Sequence, residues 1–400
     1  MDLRFSAEEL AFRDEVRGFI RDNLPEDIRE RLQLGHKVEK PDIVRWQRIL
    51  NKQGWAAYSW PKEWGGPGWT PIQRMMFLEE IQTFPAPEVN PFNVTMLGPV
   101  LIQFGSDEQK NRFLSRAANL DDWWCQGFSE PGAGSDLAAL KTAARLDGDH
   151  YVVNGQKIWT STAHMADWCF CLVRTNPQAA KRQEGISFLL IDMKTPGITV
   201  RPIISIDGEH HLNEVFFDDV RVPIAMRIYE ENKGWDVAKF LLGNERTGIA
   251  RLGKSKERVN FAKQKAKEMR AHGKPLSEDP EFRRRIAALE TELKSLEITQ
   301  LRVLSAQKAG ERRQDPLTAV LKLKGTELLQ ATTELAMDVA GPLAMPDWAD
   351  ELEALSNEPE LGPVWATEAT RSYLFLRAAS IYGGTNEIMK NIVSKAVLGL

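Results

Sequence analysis

The chain has 400 residues, 42% of them hydrophobic and 27% charged, with a formal net charge of −4. That length can bury a sizeable core in two or three domains, and the near-balanced charge excludes a basic nucleic-acid surface and a solvating acidic tail. The three cysteines, Cys125, Cys169 and Cys171, form no metal-ligand set, and an odd, sparse count suits a reducing compartment.

The opening stretch "MDLRFSAEELAFRDEV" has the pattern of a charged amphipathic helix rather than a signal peptide. Ser6 followed by Glu9 predicts a capping box. Helical periodicity continues through the first ~120 residues. It is interrupted by "GWAAYSWPKEWGGPGW", a Gly/Pro/Trp loop, and resumes at "FGSDEQKNRFL" with Ser106 as N-cap. From Asp122 the runs become β-like: "YVVNGQKIWTS", "WCFCLVRT", "ISFLLIDM", "ITVRPI" and "NEVFFDDVRVP". Asn154-Gly155 predicts a type I′ hairpin turn. His210-His211 is expected in an exposed turn before a strand, without the partners a metal site needs.

After Gly234 long helices return, as in "EFRRRIAALETELKSLEITQLRVLSAQ", with a long acidic loop between Gly341 and Gly362. The expected fold is α+β: an N-terminal helical domain (1–121), a middle β-barrel or sandwich domain (122–233) and a C-terminal helical bundle (234–400). Every hydrophobic run is too short and too interrupted by charge to span a bilayer, so a cytoplasmic protein is expected.

The stretch "QGFSEPGAGSD", Gln126 to Asp136, joins small residues and hydroxyls in a Pro/Gly turn that lets a ligand approach the backbone. It lacks the G-x-G-x-x-G of a dinucleotide fold, and alone it fits any polar turn. In order and spacing, however, "SEPGAGSD", "YVVNGQKIWTS" and "IYGGTNEIMKNI" resemble the motifs of acyl-CoA dehydrogenases, and the likeness covers essentially the whole chain.

The resemblance implies FAD between the β domain and the C-terminal helices. It places Gln126, Phe128 and Ser129 at the flavin's pyrimidine side, Trp159 beside the isoalloxazine and Ser161 near N5. Thr385 and Glu387 complete the implied cofactor contacts. Ser135 matches a residue near the pantetheine arm of CoA, and Tyr382 would line the acyl or pantetheine channel. Read without the motifs, Trp159 and Tyr382 are equally core aromatics.

The implied reaction removes an α-proton from an acyl thioester while the β-hydrogen leaves as hydride. Many family members carry the base where this chain has Gly383, and glycine has no proton acceptor. The stretch "AKFLLGNERTGIARLG" offers another carboxylate. Read as the first helix of the C-terminal domain, it puts Leu241, Glu245, Ile249 and Leu252 on one face, and Glu245 interrupts an apolar stripe. Spacing alone fits a carboxylate salt-bridged to a neighbouring helix just as well. The resemblance decides: isovaleryl-CoA and long-chain acyl-CoA dehydrogenases carry their base at an "ER" pair here. That makes Glu245 the base and Arg246 its neighbouring arginine. The Gly383 N–H would still donate to the thioester carbonyl, and the missing side chain would leave room for a bulky acyl group.

Homotetrameric members complete the FAD site with an arginine and a glutamine from a neighbouring subunit. The aligned positions here are Met269, with Arg270 one residue off, and Met337. In this the chain resembles the base-bearing large subunit of bacterial heterotetrameric members such as pimeloyl-CoA dehydrogenase. The expected partners are therefore an acyl-CoA, electron-transferring flavoprotein and a paralogous subunit, with a homotetramer as the alternative. The segment "PEVNPFNVTMLGP" would line the far end of the acyl pocket and shows no partner for a distal carboxylate. A non-catalytic family subunit and a flavin monooxygenase or oxidase on the same fold stay open at this point.

Overall fold

The structure, a computed structural model, describes residues 4–34, 37–84, 86–245, 250–306, 316–345 and 362–400. Helices come first. Helix α1 (Ala7–Asn23) opens on the expected capping box, the Ser6 hydroxyl accepting from Glu9 N–H and the Glu9 carboxylate accepting from Ser6 N–H. After it come α2 (Glu26–Leu34), α3 (Lys40–Lys52), α4 (Pro71–Thr83), α5 (Gly98–Phe104) and α6 (Asp107–Asn119). Ser106 caps α6 in the same way, as does Thr70 for α4. Trp46, Trp55, Phe77 and Val94 bury into one core among these helices. A six-residue π-helix, Phe92–Leu97, leads into α5, a local underwinding often found near functional sites. There Gly98 lies flat against Trp60, whose indole N–H donates to Val94 O at 2.7 Å.

The middle segment is one connected eight-stranded sheet. Its strands are β1 (Trp124–Gly127), β2 (Ala143–Asp147), β3 (His150–Lys157), β4 (Trp168–Arg174), β5 (Ile186–Asp192), β6 (Ile198–Ile204), β7 (His210–Pro223) and β8 (Arg227–Ile228). The order is β6-β7-β3-β2-β4-β5-β8, with β1 parallel to β4. A seam of Trp124 stacked on Trp168, with Phe113 of α6 edge-on to both, locks the helical layer to the sheet.

The hairpin prediction is corrected. The β2–β3 turn falls at Gly148-Asp149, where Gly148 takes φ 63°, and Asn154-Gly155 lies within β3. Gly155 marks a bulge in the pairing with β7. A side chain there would sit 2.6 Å from Thr142 Cα, so glycine serves close approach rather than a turn. His210 and His211 are also corrected: they open β7, half-buried, instead of lying in an exposed turn. The His210 ring stacks on His164 and pairs with Asn213 Oδ1, while His211 pairs with Asp207.

The C-terminal segment packs α8 (Leu252–Glu268), α9 (Pro280–Ala306), α11 (Val364–Leu376) and α12 (Asn386–Val393) around the buried α10 (Leu317–Ala340), after α7 (Gly234–Glu245). α8 also packs on α4, joining the two helical layers. Glu209, at the entrance to β7, ties all three segments together by pairing with Lys37 and with Arg371 of α11. Of the loop expected between Gly341 and Gly362, the first four residues form a 3₁₀ turn, and 346–361 lie outside the described residues. Among the described residues no helix is long and apolar enough to cross a membrane.

Candidate active site

The stretch from Gln126 to Ser129 leaves the end of β1 and is held by a buried ion pair. Lys157, fully buried at the end of β3, donates to Phe128 O at 3.1 Å and to Glu130 Oε1 at 2.8 Å. Glu130 also accepts from the N–H groups of Lys141 and Thr142 at 2.6 and 2.9 Å. Burial pushes the Glu130 carboxyl upward, but the Lys157 charge and these hydrogen bonds outweigh it and hold the group below its ordinary range. Ser129 O accepts from Ile158 N–H at 2.9 Å, so the same loop is tied to the turn that carries Trp159. Phe128 itself packs edge-on to Phe170 and Phe188 in the core.

Trp159 has φ 61° and is 56% exposed. A large aromatic held in a left-handed backbone and facing outward is strained and costly; that combination marks a ligand surface rather than core. Beside it Thr160 is clamped by Asn213 through both backbone groups, at 3.0 Å each, while its hydroxyl is buried without a hydrogen-bond partner. Gln126 Nε2 is a second buried donor without a partner. An orphaned hydroxyl next to an outward-facing indole, with an orphaned amide on β1, fits the polar edge of the flavin that the motifs imply. Thr160 was not singled out from the sequence, where its neighbour Ser161 carries the motif; Ser161 is half-buried here. Ser135 is exposed in the turn before Leu137.

At the other side of the site, α10 fixes both ends of the "IYGGTNE" loop. Lys322 donates to Ala379 O and Asn386 Oδ1, Thr326 to Asn386 Oδ1, and Gln330 to Ser380 Oγ. Between these anchors Gly383 and Gly384 take φ 64° and 89°, a double left-handed turn that glycine makes without strain. Thr385 is the N-cap of α12, its hydroxyl accepting from Ile388 N–H at 3.2 Å. Glu387, fully solvated in the first turn, is held below its ordinary range by backbone N–H groups and Thr385.

Glu245 is the last residue of α7; its side chain and all of Arg246 lie outside the described residues, as does Ile249. The single-helix stripe is corrected. Helix α7 is described to Glu245, Ala250 lies in a turn, Arg251 takes a left-handed φ of 43°, and Leu252 begins a separate helix. Leu241 and Leu252 are both buried, but on different helices. Met269 caps α8 against an apolar cluster and Met337 lies in another, while Arg270 is exposed and donates to Gly273 O.

A charged cluster missed by the sequence reading lies beside Tyr382. Arg251 Nη2 donates to Glu88 Oε1 at 2.8 Å, and Tyr382, Lys254 and Arg258 are electrostatic neighbours of the pair. Glu88 belongs to the "PEVN" segment expected to line the acyl pocket. The detectable signal is the spacing of Lys254 and Arg258, which puts two cations on one helical face with Arg251 just before the helix.

Acyl-CoA dehydrogenase descriptions match three stretches: the N-terminal domain over residues 6–121, the middle domain over 125–220 and the C-terminal domain over 232–398. Acyl-CoA dehydrogenase IpdE1 of Mycobacterium tuberculosis is 38% identical over 97% of both chains. Acyl-CoA dehydrogenase FadE29 of the same organism is 32% identical over 100% of this chain and 98% of its own. In structure, a chain of the ChsE4-ChsE5 complex from M. tuberculosis superposes with a TM-score of 0.83 at 32% identity, covering 100% of this chain and 99% of that one. A chain of the Tcur3481-Tcur3483 steroid ACAD gives 0.84 at 28%, with the same coverage. The chain belongs to the acyl-CoA dehydrogenase family: it is an oxidoreductase with FAD as cofactor, and acyl-CoA dehydrogenation is its reaction.

Proposed function

We propose that this chain is the base-bearing subunit of an acyl-CoA dehydrogenase in which Glu245 removes the α-proton of the bound thioester. When bound, FAD supplies the acceptor for the β-hydride. Gln126, Phe128, Ser129, Trp159 and Ser161, with Thr385 and Glu387 across the cleft, hold the cofactor; Ser135, Arg246, Tyr382 and Gly383 hold the substrate. The Gly383 N–H polarises the thioester carbonyl and so acidifies the α-carbon. In support, this N–H makes no backbone hydrogen bond among the described residues, in a loop anchored at both ends. A carboxylate on a different element can serve the same carbon, so glycine at 383 does not imply an inactive subunit.

The observation that carries this reading is the pair of orphaned donors, Gln126 Nε2 on β1 and Thr160 Oγ1 next to the strained and exposed Trp159. We further infer a paralogous partner in a heterotetramer, with electrons leaving to electron-transferring flavoprotein in the cytoplasm. The reading divides the chain at 121/122 and 233/234. A structural relative is a two-subunit ChsE4-ChsE5 complex, and Met269 and Met337 offer no charge to a pyrophosphate.

The test is anaerobic flavin bleaching with straight, branched, dicarboxylic and polycyclic acyl-CoAs, with and without a co-expressed paralogue. Bleaching by at least one thioester, with FAD content rising when the paralogue is present, is expected. A chain purified alone with one FAD per subunit would contradict the heterotetramer, and no bleaching by any thioester would contradict the dehydrogenase reading.

A further inference from the structure

At the start of α8, Lys254, Ser255 and Arg258 stand at i, i+1 and i+4, with Arg251 just before them as the left-handed N-cap. Across from it stand Glu88 of the 86–90 segment, Tyr382 next to Gly383, and Glu368 of α11. The side chains of the Arg251–Glu88 pair retain 39% and 26% accessibility. A pair this accessible is reached from outside rather than sealed in packed core.

The other two cations on this face are not paired. Among the described residues neither Lys254 nor Arg258 has a carboxylate within ion-pair distance, and Arg258 Nη1 and Ser255 Oγ are buried without a hydrogen-bond partner. Burial pushes both cations below their ordinary range. Glu368, the carboxylate nearest Arg258 on α11, accepts instead from the Ser372 hydroxyl at 3.2 Å. A plain hydrocarbon tail would leave the Arg258 N–H without an acceptor and Lys254 without a counter-charge, an unfavourable arrangement. An oxygen acceptor would complete both.

We propose that the acyl group taken by this chain carries an oxygen acceptor, a carboxylate or a keto oxygen, held by Lys254 and Arg258 on the α8 side of the pocket. The proposal rests on the dehydrogenase reading and deepens it, since Tyr382 places the cluster beside the Gly383 turn. Arg251 and Glu88 neutralise each other; Glu257, and for Arg258 also Glu368, are the other carboxylates whose charge reaches Lys254 and Arg258.

The test uses the FAD-loaded full-length protein, with its paralogue if loading requires one. Anaerobic flavin reduction is followed by stopped flow with three CoA thioesters of equal acyl length: unsubstituted, keto-substituted near the far end, and ω-carboxylated. Reduction per unit concentration should be at least about tenfold faster for an oxygenated thioester than for the plain one, as expected of a site built to bond a substrate oxygen. A gain for the carboxylate alone assigns an anion, and a gain for both assigns a general acceptor. In Lys254→Met and Arg258→Met the ratio should fall toward one, with Arg258→Lys retaining part of it.

The melting temperature gives a readout independent of turnover. Arg258→Met without ligand should melt no lower than wild type, because it removes a buried unpaired charge. Equal rates with all three thioesters in the wild type, or a ratio surviving in both Met variants, would overturn the proposal. So would a large drop in melting temperature for Arg258→Met, which would show the guanidinium already paired. If no thioester reduces the wild-type flavin, the dehydrogenase reading fails and this proposal with it; rapid reduction by the plain thioester alone refutes only the proposal.

Discussion

Replacing Lys157 with methionine tests whether the buried Lys157–Glu130 pair positions the cofactor loop. Lys157 is 0% exposed and Glu130 8%, so removing the ammonium leaves a carboxylate in low dielectric with no counter-charge. Breaking one side of a buried pair costs about 3–5 kcal/mol. Glu130 keeps the N–H groups of Lys141 and Thr142, and methionine refills most of the lysine's volume, so the lower end, about 3 kcal/mol, is expected. The pH dependence follows from the direction of the shift. In the wild type the Glu130 pKa is depressed, so its contribution is present above the unfolded carboxyl range and lost as pH falls through the folded value. In Lys157→Met burial is opposed only by those two N–H groups and the pKa rises above its wild-type value, so the deficit should be largest at pH 7–8 and shrink toward pH 5. The loss of the Phe128 O contact should also loosen the Gln126–Ser129 stretch. The assays are chemical denaturation from pH 5 to 8 and FAD retention through gel filtration. A deficit under about 0.5 kcal/mol, the level of an ordinary surface substitution, or one that does not vary with pH, would refute the reasoning, as would undiminished FAD retention.

Two further perturbations have clear signs. Burial raises the Glu368 carboxyl to about 6. The folded protein therefore binds this proton more tightly than the unfolded chain, and ionising it costs stability above pH 6 but not below about 4.5. Glu368→Gln should raise stability by up to about 2 kcal/mol at pH 8 and by almost nothing at pH 4.5, measured by denaturant unfolding at both values. At Gly98, an added Cβ would fall 2.1 Å from the buried Trp60 ring. Gly98→Ala should therefore cost about 3 kcal/mol or more by overpacking, with quenched or shifted tryptophan fluorescence reporting the displaced indole.

Local chemistry was the legible part of this sequence. Ser6 and Ser106 cap their helices because a hydroxyl followed three residues later by Glu or Gln satisfies end donors within one turn. The β-rich runs likewise carry their strand signature in every few residues. What escaped was decided by contacts between distant segments. Gly148 and Gly155 both sit in turn-like dipeptides, and only the approach of Thr142 assigns the second to a bulge. Nothing in "NERTGIARLG" announces that Arg251 takes a left-handed backbone, since the residue is not glycine, asparagine or aspartate. The pairing of Arg251 with Glu88 joins residues 163 positions apart. Which charges of α8 face inward depends on how that helix lies on α4 and the 86–90 segment, which periodicity alone does not show.

The central claim is that the base sits at Glu245 while Gly383 supplies only its backbone. The direct measurement is single-turnover, anaerobic flavin bleaching by a productive acyl-CoA in wild type and Glu245→Gln, each with matched flavin absorbance. Removal of the carboxylate should abolish bleaching on the stopped-flow timescale, leaving FAD content and thioester binding in place. Bleaching of Glu245→Gln at the wild-type rate would show that another group takes the proton.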